Sequence, residues 1–221
     1  MERTIKITGQ GKISVKPDTI QLLMKLEGVR ERYEQTLEQS ALKTESLKAE
    51  LEALGFEKSE IKTTDFRIDT EQENYQENNI WKHRVVGYKF THSMKLSFAV
   101  DNTLLGKILY TLAHSEANPE FQIVYTTQDV TVAKNELLAK AVADSREKAM
   151  LLTQAGGVQL GEVVQIEYTW AEKEFSSRPI RSMAMACYTM AENTSHTYDL
   201  SIEAENIDVE DTVTVVWRIE K

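Results

Sequence analysis

Leu138–Tyr168, LAKAVADSREKAMLLTQAGGVQLGEVVQIEY, predicts a helix, a stop and a strand in one uninterrupted run. Leu138, Ala141, Ser145, Ala149 and Leu152 recur at three- and four-residue steps, while Lys140, Asp144, Arg146, Glu147 and Lys148 occupy mostly the other side. The small residues Ala141, Ser145 and Ala149 let such a helix lie close to a sheet. Gly156 and Gly157 end it, because glycine takes the left-handed conformation without a steric penalty. Val164, Ile166, Tyr168 and Trp170 then alternate, which is the period of a strand with one buried face.

Toward the N-terminus, Thr4–Thr8 and Lys12–Lys16 alternate polar and apolar residues and predict two short strands, with Gly9-Gln10-Gly11 supplying a turn or bulge between them. Pro17 and Asp18 interrupt the ladder, and Ile20, Leu22, Met24 and Leu26 resume on the opposite parity, which predicts a change of face at the proline. Tyr33, Leu37, Ala41, Thr44, Leu47, Leu51 and Leu54 form the apolar stripe of a helix that stops at Gly55. Ile61–Thr70 has strand spacing, and the polar stretch that follows, TEQENYQENN, predicts a hairpin tip or loop.

The return strand is the least ordinary element. Val86, Tyr88, Phe90, His92, Met94, Leu96, Phe98 and Val100 keep one parity without a break, a span of roughly 50 Å at ~3.3 Å per residue and more than twice a typical strand. Such a strand runs through two subdomains, bends strongly, or extends past its own fold to meet a partner. A second helix is predicted over Asn102–His114, then a strand from Phe121, Ile123 and Tyr125. Residues 171–197 show no period and predict an irregular insertion, after which Tyr198–Ala204 and Val213–Ile219 return the chain to sheet. Strands that follow one another directly favour an α+β fold, with helices packed on mainly antiparallel sheet. The expected organisation is one domain over 1–221, built as two βαββ-like subdomains, 1–100 and 101–221, joined by the long strand.

Composition narrows the function classes. The 221 residues carry 26 basic and 35 acidic side chains, a net charge of −9, which opposes nonspecific attraction to nucleic acid or anionic lipid. A single cysteine, Cys187, rules out an intramolecular disulfide and any zinc site built on several thiolates. No apolar run approaches the ~20 residues of a membrane-spanning helix. The opening MERTIKITGQGK has neither an apolar segment nor a cleavage site, which fits either a cytoplasmic protein or a chain trimmed to its mature start.

Few residues suggest chemistry. Gly9-Gln10-Gly11-Lys12 lacks the spacing and the following helix of a phosphate loop. There is no GxSxG elbow, and Cys187 has only His196 near it in sequence, so no nucleophile with its base is assigned. Met183, Met185, Cys187, Met190 and His196 form the one candidate metal set, since thioethers and a thiolate suit Cu(I). Against it stands a flexible apolar contact surface, to which methionine is equally suited. His83, His92 and His114 have no ligand spacing and predict buried or capping roles. Trp81, Trp170 and Trp217 predict packing or interface contacts.

Two segments in combination resemble the SIMPL-domain family, which includes bacterial periplasmic immunogenic and oxidative-stress-associated envelope proteins. One is ITGQGKISVKPDTIQL, with its glycine-rich stretch before Val-Lys-Pro-Asp; the other is KAVADSREKAMLLTQAGGVQLGEVVQIEY. Leu54-Gly55-Phe56, Ile61-Lys62-Thr63, Gly87-Tyr88 and the closing DVEDTVTVVWRI fit as well, so the resemblance covers nearly the whole chain. It implies an α+β fold, no established catalytic residues, and a tendency towards large ring- or channel-like homo-oligomers; no residue pattern assigns a cofactor. A mammalian member that binds a signalling kinase gives the family its kinase-interacting label. The chain departs from many bacterial members in lacking a secretion signal, so periplasm or envelope is implied only for a trimmed chain. Together these readings lead to a non-enzymatic, self-associating protein acting through assembled surfaces, in envelope or stress response. The alternative is a small-ligand or Cu(I)-binding stress protein that uses the Met/Cys-rich insertion.

Overall fold

The computed structural model describes residues 3–77, 80–169, 175–177, 180–181 and 204–221. Its elements run β1 (Thr4–Val15), β2 (Thr19–Arg30), α1 (Tyr33–Glu52), β3 (Lys62–Glu77), β4 (Ile80–Ala99), α2 (Asn102–His114), β5 (Glu120–Thr126), α3 (Thr131–Ala155), β6 (Gln159–Glu167), β7 (Ile180–Arg181) and β8 (Ile207–Glu220). Among the described residues, three helices and two antiparallel sheets make the expected α+β fold. One sheet has the order β1-β8-β6 and the other β3-β4-β2-β5-β7. Two compact units interleave along the chain: Met1–Asp18, Thr126–Ser177 and Ala204–Lys221 in the first, Thr19–Tyr125 and Arg178–Glu203 in the second. A division at residue 100 does not separate them, and all of β4 lies in the second.

In the first unit, α3 covers one face of the three-stranded sheet. Its buried residues are Ala133, Leu137, Ala141, Ser145, Ala149 and Thr153, a row at steps of four. That row crosses the helix obliquely and follows a twisted sheet better than an axial stripe does. Leu137 joins the inner face beside Leu138, which is half-buried against the core, and Thr153 takes the inward place expected of Leu152, which is 49% exposed. Opposite them lie Ile7, Val213, Val215 and Trp217 in one cluster, and Ile13, Phe175, Ile207 and Val209 in the next. Each large side chain so buried contributes about 1.5–3 kcal/mol of transfer free energy.

The glycines of β1 allow this packing. The strand is continuous from Thr4 to Val15, paired with β8 throughout, so Gly9 and Gly11 make neither turn nor bulge. A Cβ on Gly9 would lie 2.0 Å from the Ala141 carbonyl oxygen, and one on Gly11 would lie 2.1 Å from that of Leu137. The helix backbone rests directly on the strand, which only glycine permits. On β1's open edge, the Gln10 amide donates to the Asp144 carboxylate of α3 at 2.6 Å.

Beyond Pro17 the chain changes sheets. Asp18 holds the segment before α3: its amide donates to the Thr126 carbonyl at 3.1 Å, and its carboxylate accepts from the Gln128 amide at 2.9 Å and the Thr127 hydroxyl at 3.3 Å. Residues 171–197, expected to be irregular, contribute ordered pieces where they are described. Phe175 is buried, Ser176 bridges to Thr126, and β7 pairs with β5. Strand β6 departs from the half-buried expectation. It is an edge strand with two register shifts, and Val163, Val164 and Ile166 are all exposed.

In the second unit, Ile20, Leu22, Met24 and Leu26 of β2 and Phe90, Met94 and Leu96 of β4 are buried, and α1 packs on both strands. Leu47 and Leu51 of α1 face the core as expected, but Tyr33 and Leu37 are exposed while Thr36 and Ser40 are buried. The first half of α1 sits near Gly28, whose Cβ would meet the Gln39 and Phe90 side chains at 2.6 Å. Small polar residues fit that narrow gap, and the Thr36 hydroxyl donates to the Arg32 and Tyr88 carbonyls at 3.0 and 3.3 Å. Helix α2 starts where Asp101 accepts from the Thr103 and Leu104 amides, both at 2.9 Å.

Candidate functional site

The excess length of β4 goes into a two-stranded ribbon. Pairing of β2 with β4 ends at Arg30 and Tyr88, whereas β3 and β4 remain paired from Glu71 opposite Gly87 to Glu77 opposite Ile80. The ribbon thus runs roughly 20 Å past the sheet at ~3.3 Å per residue. Two local features aim it. A register shift between Glu71 and Gln72 leaves Val86 without a cross-strand partner. At the base, a Cβ on Gly87 would lie 2.5 Å from the Arg30 carbonyl oxygen, so glycine is needed where the chains cross. Thr70–Glu77, expected as a tip or loop, is strand.

The ribbon has two unlike faces, because side chains alternate. Glu73, Tyr75, Lys82 and Arg84 share one: Arg84 pairs with Glu73 at 2.7 Å and lies 5.4 Å from the centre of the Tyr75 ring. This ion pair holds the Arg84 guanidinium above its usual range. The other face carries Gln72, Asn74, Gln76, Trp81, His83 and Val85, with His83 bonded to Asn74. It holds no acidic residue, lysine or arginine. Trp81 is 68% exposed and Val85 57%.

The remaining candidates are dispersed. His92 is buried between two hydroxyls, 2.9 Å from Thr44 on one ring nitrogen and 2.9 Å from Thr63 on the other, with Phe66 edge-on to its ring. Burial, with Lys48 adding to it, pushes its pKa down and favours the neutral ring. His114 reaches the Tyr110 carbonyl at 2.8 Å near the end of α2, as a capping role requires. The other shifted groups include Glu27, lowered by Lys25 and Lys89, and Asp144, lowered by Lys148 and the Gln10 amide. Gly9–Lys12 is strand. Met183, Met185, Cys187, Met190 and His196 lie outside the described residues, as does Trp170. Among the described residues, no three His, Cys, Asp or Glu gather as a metal site, and no helix is long and apolar enough to cross a membrane.

The fold and the ribbon define an α+β protein whose most distinctive exposed feature is a projecting β-arm. A family model described as SIMPL, protein of unknown function (DUF541), matches residues 5–217, and the chain belongs to this family. A search of curated proteins finds no match. Asp18 and Gly9-Gln10-Gly11, within the resemblance that the sequence carries, thus have structural work in the first unit. The ribbon's uncharged face was missed in the sequence, although Trp81, His83 and Val85 on one parity were its signal.

Proposed function

We propose that this protein acts without catalysis, by associating with further copies of itself through the uncharged face of the β3–β4 ribbon. The observation that carries the reading is the ribbon itself. An isolated two-stranded hairpin is marginal in water, and this one presents Trp81 and Val85 to solvent on a face that a second layer would cover. Charge supports a second copy as that layer. Each chain carries −9, so like chains repel, and contact is favoured where charge is lowest. The segment 71–87 holds three acidic and two basic residues, with Arg84 and Glu73 already paired. Its uncharged face brings no like charges together. The scattered shifted groups, mostly in surface ion pairs, are consistent with a surface role.

Light scattering of a Trp81→Glu, Val85→Glu variant tests this. The variant is expected to be monomeric at concentrations where the unaltered chain is not. An unchanged oligomer would remove the ribbon from the interface.

A further inference from the structure

Within the first unit, a groove of 380 Å³ opens between the second half of α3 and the start of β6. Sites for small molecules typically span about 300–1000 Å³, so the volume is ligand-sized. Arg146, Met150, Thr153 and Gln154 line it from the helix, Leu160 from β6, and Trp217 from β8. Three observations bear on what it would hold. Trp217 is 5% exposed, yet its indole N–H has no acceptor among the described residues. A buried donor left unpaired is a standing cost that a ligand oxygen would remove. Arg146 is exposed and forms no ion pair among the described residues, although Lys140 and Lys148 of the same helix pair with Glu136 and Asp144. Met150 is 53% exposed and offers an apolar wall that can move.

The geometry points to a binding site for a small apolar monocarboxylate, its carboxylate held by Arg146 and accepting from the Trp217 indole N–H, and its apolar body along Met150 and Leu160. The guanidinium matches a carboxylate in shape and charge, and the Met150 and Leu160 side chains match a short alkyl chain. The nearby end of α3 carries partial negative charge, which opposes an anion. Its last carbonyls are already occupied, however: the Gly156, Gly157 and Val158 amides donate to those of Leu152, Gln154 and Thr153. Arg146 sets a whole charge against that residue. The site is independent of self-association.

The test uses the full chain with Trp81→Phe and Trp170→Phe, which leaves Trp217 as the sole tryptophan. Decanoate, below its micellar concentration, is expected to shift the Trp217 emission saturably. Arg146→Gln should weaken decanoate binding by about tenfold or more, the loss typical of a charge-assisted hydrogen bond, and leave decanol binding unaltered. Calorimetric titration of the unaltered chain and of Arg146→Gln repeats the comparison with every tryptophan in place. A non-saturable response, or equal decanoate affinity with and without Arg146, overturns the site.

Discussion

Replacing Gly9 with alanine gives opposite answers depending on whether the strand or the fold decides. Glycine weakens a strand, so local propensity makes Gly9→Ala stabilising. The structure makes it strongly destabilising. The new methyl would lie 2.0 Å from the Ala141 carbonyl oxygen and 2.5 Å from the Ser145 amide nitrogen, where ordinary contact begins at 3.4 Å. Helix α3, which carries that oxygen, would have to retreat by about 1.4 Å from the new methyl, and Ile7, Val215 and Trp217 would lose the cover of Ala141 and Ala149. Overpacking a core typically costs ~1–3 kcal/mol. Here the obstacle is backbone, which cannot change rotamer, so roughly 3 kcal/mol or more is expected. Gly11→Ala, 2.1 Å from the Leu137 oxygen, should behave alike. Gly157→Ala is the control: its φ is +68° with no atom within 4 Å of a Cβ, so only the left-handed strain of about 1 kcal/mol applies. Urea unfolding followed by circular dichroism ranks the three. If Gly9→Ala is as stable as the unaltered chain, or if Gly157→Ala costs more, the close-approach reasoning fails.

Three further outcomes are expected. Asp18→Ala removes the acceptor for Gln128 and Thr127 and should lower stability by about 1–2 kcal/mol, with faster amide exchange at Gln128 as the local check. Because burial lowers the His92 pKa, the unfolded chain binds more protons than the folded one near neutrality. The His92 contribution is therefore complete above an unfolded value of about 6.5 and is lost as pH falls toward the folded value. His92→Gln should flatten that part of the stability profile, and an unchanged slope between the two chains would contradict it. Trp81→Glu alone should leave urea stability within about 0.5 kcal/mol, because its side chain is exposed, while reducing association.

Which residues could be read from sequence follows from what each element packs against. Helix α2, with apolar residues on one face and a core beneath, appears with the bounds its periodicity predicts. For α1 and α3 the sheet approaches so closely that Thr36, Ser40 and Thr153 replace larger apolar residues on the inner face. A search for apolar stripes selects Tyr33, Leu37 and Leu152 instead, all exposed. Gly9 and Gly11 read as a turn because sequence cannot distinguish a glycine chosen for its φ from one chosen for its missing Cβ. The ribbon read as a loop over 70–79 for a related reason: a strand exposed on both faces has no buried period to announce it. Asp18 was legible as part of a motif, whereas its contact with Gln128 bridges a sequence gap that no local pattern spans.

The measurement that bears most directly on the central reading is the solution mass of the unaltered chain at micromolar concentration, by light scattering. The expected result is at least twice the single-chain mass, at a whole-number multiple of it. A strictly monomeric mass would contradict self-association through the ribbon.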